Sequence, residues 1–167
     1  MKSSIVRYRK RTGATQQDVA NMLFTDKSQV CKIEKGDRTM TVSMYEAGFN
    51  NVPDPHLLND MAHEVTGGYT MPTPSNRVYD DHRMSFRFRI QKEIEEFTDM
   101  LPQIRLDKHP EFLTQEEKES VARIASELQD VLFEGQGMLM KLLDDYGIPP
   151  KEINQGRDAR LRMERRI

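Results

Sequence analysis

The residues able to do chemistry are few, and their spacing argues against catalysis. Cys31 is the one cysteine, and with His56, His63, His82 and His109 it shows no metal-ligand spacing. His63-Glu64 begins like a zinc-peptidase motif, but residue 67 is glycine, so the second ligand is missing and no metal is expected. The carboxylate pairs Glu95-Glu96, Glu116-Glu117 and Asp144-Asp145 sit in helical patterns as solvated faces, and no glycine-rich loop offers to cradle phosphate. No enzymatic activity and no cofactor are expected. What remains is a set of polar and basic donors between Thr15 and Thr39, on a stretch that reads as short capped helices.

Charge follows the same division. The 167 residues carry a formal net charge of -2, yet residues 1–50 hold nine basic against five acidic residues. Residues 102–156 hold six against eleven, and residues 157–167 five against two. A basic head on an acidic body suggests a head that meets a polyanion. With 31% charged residues, mean hydropathy -0.74 and no apolar run of membrane-spanning length, the chain reads as a cytoplasmic protein without a membrane partner. The start, Met1 to Arg7, has no apolar core of a secretory signal.

The elements that must position these residues are helices; alternation of the β type is nearly absent. Ser3 or Ser4 caps a first helix that Gly13 stops. Thr15 caps a second, Gln16–Leu23, with Val19, Ala20 and Leu23 inward. Asp26 caps a third, running to Lys35 with Val30 and Ile33 inward and Gly36 as its left-handed terminator. A fourth starts near Met40-Thr41-Val42 and is expected to be cut short by Gly48 and Asn50-Asn51. A fifth begins at Asp54-Pro55 and buries Leu57, Leu58, Met61 and Val65. Gly67 to Asn76, with two glycines and two prolines, reads as a linker. Beyond it Phe86, Ile90, Ile94, Phe97 and Leu101 share one helical face up to Pro102. A longer helix opens with a Thr114/Glu117 capping box and carries Val121, Ile124, Ala125, Leu128, Val131, Leu132, Leu139, Leu142, Leu143 and Tyr146. Gly135 and Gly137 inside it imply a close helix contact or a break. The expected organisation is 1–66 as head, 67–81 as linker and 82–167 as a helical unit with an arginine-rich tail.

Thr15-Gln16-Gln17-Asp18-Val19-Ala20 and Ser28-Gln29-Val30-Cys31-Lys32-Ile33-Glu34-Lys35-Gly36, at this spacing and after a basic first helix, resemble the Cro/CI-type (XRE) helix-turn-helix regulators of bacteria and their phages. The resemblance covers 45 to 60 residues. It implies an all-α fold with a five-helix DNA-binding head, followed here by an antiparallel long-helix hairpin or bundle. It implies that Lys27, Ser28 and Lys32 face base edges, with Gln29 a fourth candidate suited to adenine. Gln16, Lys35, Arg38 and Thr39 fall where the family holds phosphate, and Arg9 and Glu34 where it forms a structural ion pair. Two departures stand out: Phe24-Thr25 replaces the usual glycine and apolar residue of the turn, and Gly48 and Asn50-Asn51 cut the fourth helix short. Separately, the acidic helical second half offers neither strands nor the Ser–Lys dyad of self-cleaving repressors.

The expected function is therefore a sequence-specific regulator, read as a repressor, acting on double-stranded DNA in the host nucleoid as a homodimer. Phe86, Ile90, Ile94, Phe97, Leu101, Ile124, Leu128, Val131, Leu132, Leu139 and Leu142 form the expected dimer or bundle core. The rival reading makes residues 82–146 the binding site for another protein, as in a phage inhibitor or antitoxin. A weaker third idea is a ligand pocket lined by some of the eleven methionines. The tail, Arg157–Ile167, reads as a short basic helix or a frayed end, and is expected to pair with the acidic body or to lack fixed structure, with phosphate contact the remaining option.

Overall fold

The computed structural model describes residues 3–75 and 80–167; Met1, Lys2 and Asn76 to Tyr79, the middle of the expected linker, lie outside the described residues. The chain is all-helical, with no strand among the described residues. The described contacts form two compact units, Met1–Thr73 with Leu143–Ile167, and Pro74–Leu142. These bounds differ from the compositional ones: the arginine-rich tail groups with the head rather than with the long helices.

The first unit begins with α1 (Ser4–Thr12), α2 (Gln16–Met22), α3 (Lys27–Lys35), α4 (Val42–Asn51) and α5 (Pro55–Val65). Each starts where a short polar side chain accepts a hydrogen bond from an otherwise unpartnered helix N–H: Ser3, Thr15, Asp26, Thr41 and Asp54. Thr15 and Asp18 complete a reciprocal box around α2. α2 lies on α3, α1 on α5 and α3, and α4 on α5 and α2. Their shared core holds Ile5, Val19, Ala20, Leu23, Val30, Ile33, Met40, Met44, Tyr45, Val52, Leu57 and Met61.

Two expectations are corrected here, and one segment gains contacts that the sequence does not show. Gly48 does not shorten α4, which runs to Asn51; a Cβ at Gly48 would stand 2.2 Å from Met61 Cε, so the glycine lets α4 and α5 approach. Val65 is exposed and Leu58 only half-buried, because the buried face of α5 passes through Leu57 and Met61 and the helix is ending at Val65. The segment after Gly68 is strapped to α5. Asn59 donates to Met71 O and Thr73 Oγ1, each at 3.1 Å, and Thr73 Oγ1 donates to the buried Asp60 at 2.6 Å.

In the second unit, α6 (Arg83–Met100) ends in a 3-10 turn at Leu101–Gln103, where Pro102 removes a backbone donor. A second such turn, Pro110–Phe112, leads to α7 (Gln115–Asp145), whose start is fixed by Thr114 and Glu117 bonding each other's backbone N–H. The pairs Asp81–Lys141, Arg89–Glu134 and the approach of Phe86 to Gly137 run in opposite chain directions, so α6 and α7 form an antiparallel hairpin. α7 is unbroken at its two glycines. A Cβ on Gly137 would meet Pro74 Cγ at 3.0 Å and Phe86 Cε1 at 3.1 Å, which selects the close-contact alternative over the break.

The expected hairpin core is filled only in part. Phe86 and Ile124 are buried, and Ile90, Phe97, Val131 and Leu142 half-buried; Ile94, Leu101, Leu128, Leu132 and Leu139 are exposed within this single chain. Met140 and Glu134, absent from the expected set, are buried. Of the two readings of the tail, helix or frayed end, α8 (Pro150–Met163) takes the helical one over Arg157–Met163, and its arginines and those after it pair locally: Arg157 with Asp158, Arg160 and Arg166 with Glu164.

Candidate nucleic-acid interface

α3 is amphipathic in one turn's spacing. Val30 and Ile33 go into the core, while Ser28, Lys32 and Lys35, at i, i+4 and i+7, lie on the opposite, exposed face. Lys27 is exposed beside them and Gln29 half-buried. The helix ends at Gly36 in the left-handed region, φ 84°, whose N–H bonds back to Ile33 O. The chain then carries exposed Arg38 and Thr39, and Arg38 Nη1 donates to Gln29 Oε1 at 2.7 Å. That contact ties a candidate phosphate residue to a candidate base-reading one, a link that spacing alone does not reveal.

The other side of α3 is locked by charge. Glu34 accepts from Arg9 Nη1 at 2.7 and 3.0 Å and from Gln16 Nε2 at 2.6 Å, while Arg9 Nε donates to Ala14 O at 2.8 Å. Three helices thus share one carboxylate. Gln16, a candidate phosphate residue, is engaged with Glu34 in this structure. At the start of α2 Asp18 sits below its ordinary pKa, first because the Thr15 backbone N–H donates to it and then because the Thr15 hydroxyl does.

The basic surplus of the head is narrower than its count. Arg7 is taken by Asp60, Arg9 by Glu34, and Arg11 by Asp54 and Asp144. Among the described residues no carboxylate pairs with Lys27, Lys32 or Lys35. The uncompensated cations of α3 therefore all lie on or beside its outward face, with the hydroxyl of Ser28 and the amide of Gln29. Such a surface can donate to phosphate oxygens and to base edges, and its one free cysteine, Cys31, is half-buried among them.

Phe24 is the residue whose conformation sequence reading left open. It occupies the turn at φ 50° and is 79% exposed, held by Thr25 N–H donating to Ala20 O at 2.9 Å. The turn keeps the left-handed geometry that a glycine would take without cost.

Among the described residues one carboxylate cluster could hold a cation by distance, Glu93, Glu127 and Asp130 on the hairpin. Clusters of exposed acids are common, and nothing else at this one points to an ion.

No protein-family model, no curated protein and no solved structure matches this chain.

Proposed function

We propose that this protein is a sequence-specific DNA-binding regulator of the Cro/CI helix-turn-helix type, acting as a repressor in the form of a homodimer on a palindromic site. The observation that carries the reading is the outward face of α3: exposed, capped at its start by Asp26, bearing cations without carboxylate partners, and backed by Val30 and Ile33 in a packed core. A helix of this kind fits the major groove, where lysine donates to guanine O6 and N7 and glutamine pairs with adenine. Lys35, Arg38 and Thr39 follow it as phosphate contacts that set register. Gln16 joins them by exchanging its bond to Glu34 for one to phosphate at the N-terminus of α2.

The test is selection of bound duplexes from a random pool, followed by titration of the selected site and an unrelated duplex at one salt concentration. Lys32→Ala and Gln29→Ala are expected to weaken the selected site by about tenfold or more each and to relax its sequence preference, while Gln16→Ala weakens both duplexes alike. Equal losses on both duplexes for all three variants would sink the base-reading assignment.

A further inference from the structure

Gln29 is the third residue of α3, and its backbone N–H donates to Asp26 Oδ1 at 2.8 Å, so the side chain that starts the helix also sets its place. At about 100° per residue it lies roughly 60° round the helix from Lys32, at the edge of the outward face. Gly36, two turns on, falls within about 20° of the same line, so the chain leaves α3 on the side of Gln29. There it folds back: Gly36 N–H donates to Ile33 O at 3.1 Å and Asp37 N–H to Lys32 O at 2.9 Å. Met40 then roots the segment in the core. Arg38 is thus carried on a short stretch anchored at both ends, from which Nη1 reaches Gln29 Oε1 at 2.7 Å.

A guanidinium only donates, so the atom that Arg38 meets is the amide oxygen, and this settles which way round the amide sits. A glutamine without a partner turns over about its last torsion at little cost and exchanges its oxygen for its NH2. With Arg38 in place one lone pair of the oxygen is used and the other is left, while Nε2 has no partner among the described residues. An acceptor and a donor side by side are what the adenine edge requires, its N6–H donating and its N7 accepting. Gln29 is also the one partner of Arg38 among the described residues, so the other guanidinium N–H groups remain open to a phosphate oxygen.

We infer that Arg38 is a positioning residue for sequence reading: it holds the Gln29 amide in the orientation that pairs with adenine, and with its remaining donors on phosphate it couples the register of the head to that base contact. The inference rests on the regulatory reading above. It gives Arg38 a part in specificity that a phosphate contact alone does not have. An amide fixed in advance avoids the ordering cost that a free side chain meets on binding, worth about three- to tenfold in affinity. That advantage applies only where the base matches the orientation held, so it acts on discrimination and not on affinity for duplexes in general.

The experiment takes two readouts on the full chain. Without DNA, NMR relaxation of the Gln29 side-chain amide is expected to show it ordered in the native chain and mobile in Arg38→Ala, whose backbone spectrum stays native because Arg38 is exposed. With DNA, each base pair of the site selected from a random pool is replaced in turn, and affinities are measured at one salt concentration. Gln29→Ala is expected to relax the preference at one A·T pair. Arg38→Ala is expected to relax that same preference by about three- to tenfold, and to change no preference further when added to Gln29→Ala. An Arg38→Ala variant that weakens every duplex alike and keeps the preference at that pair overturns the proposal and leaves Arg38 a phosphate contact. So does a Gln29 amide equally mobile in both chains, or a Gln29→Ala variant that relaxes no position. In those three cases a preference that Lys32→Ala still relaxes keeps the regulatory reading standing. A native chain that prefers no duplex refutes that reading, and the role given to Arg38 falls with it.

Discussion

Phe24 holds the turn between α2 and α3 at φ 50°, where a Cβ crowds the following carbonyl, and its ring lies in solvent. The left-handed region costs a non-glycine residue about 1–2 kcal/mol, while glycine there costs about 0.4–1 kcal/mol in unfolded-state entropy. Phe24→Gly is therefore expected to stabilise the protein by about 0.5–1 kcal/mol, read as a small rise in the urea midpoint at unchanged slope. A fall in the midpoint would mean that the ring contributes packing its exposure does not reveal. The departure from glycine was visible in the sequence, but the conformation was not, because a turn's φ depends on the helices at both ends. Glu34 teaches the same point from the other side. Its place opposite Arg9 follows from a motif, whereas the donation from Gln16 needs α1, α2 and α3 already assembled.

Helix starts were readable because a cap is a local event: Thr15, Asp26, Asp54 and Thr114 bond N–H groups within three residues of themselves. Helix interiors were less so. Gly48 reads as a stop unless Met61 is known to lie against it, and the exposure of Leu128 or Val65 depends on which neighbour ends where. The joint of α1, α4 and α5 shows what such contacts do. Tyr45 of α4 is buried near Glu64 of α5, which accepts from Ser4 Oγ of α1 at 2.8 Å. Burial, then the Glu64 charge and hydrogen bond, push the Tyr45 hydroxyl up to about 12 from its ordinary 10.0. The folded state then holds a proton that the unfolded chain releases above pH 10. The contribution is whole below about pH 10 and is lost as pH rises through 12. Tyr45→Phe should flatten the decline in stability between pH 10 and 12. Chemical denaturation of both proteins across that window checks it; parallel alkaline slopes would assign the decline to other groups.

At the scale of the whole molecule, the proposed regulator works only if head and hairpin cooperate. One small head reaches few phosphates and bases, and two heads held by one bundle convert the second docking into an intramolecular event. Changing exposed leucines of the hairpin without touching the head tests this. Leu128→Glu with Leu132→Glu changes no residue of α1 to α5, so binding to a duplex with a single half-site is expected to match that of the native chain. On the full palindrome the same variant is expected to bind more weakly by about 100-fold or more, since the effective concentration supplied by the partner is gone. Titration of both duplexes at one salt concentration separates the outcomes. Equal loss on the two would show that the hairpin change damages the head, and no loss on either would show that single heads suffice. Loss confined to the palindrome is the signature of a protein whose specificity resides in α3 and whose affinity is set by the hairpin.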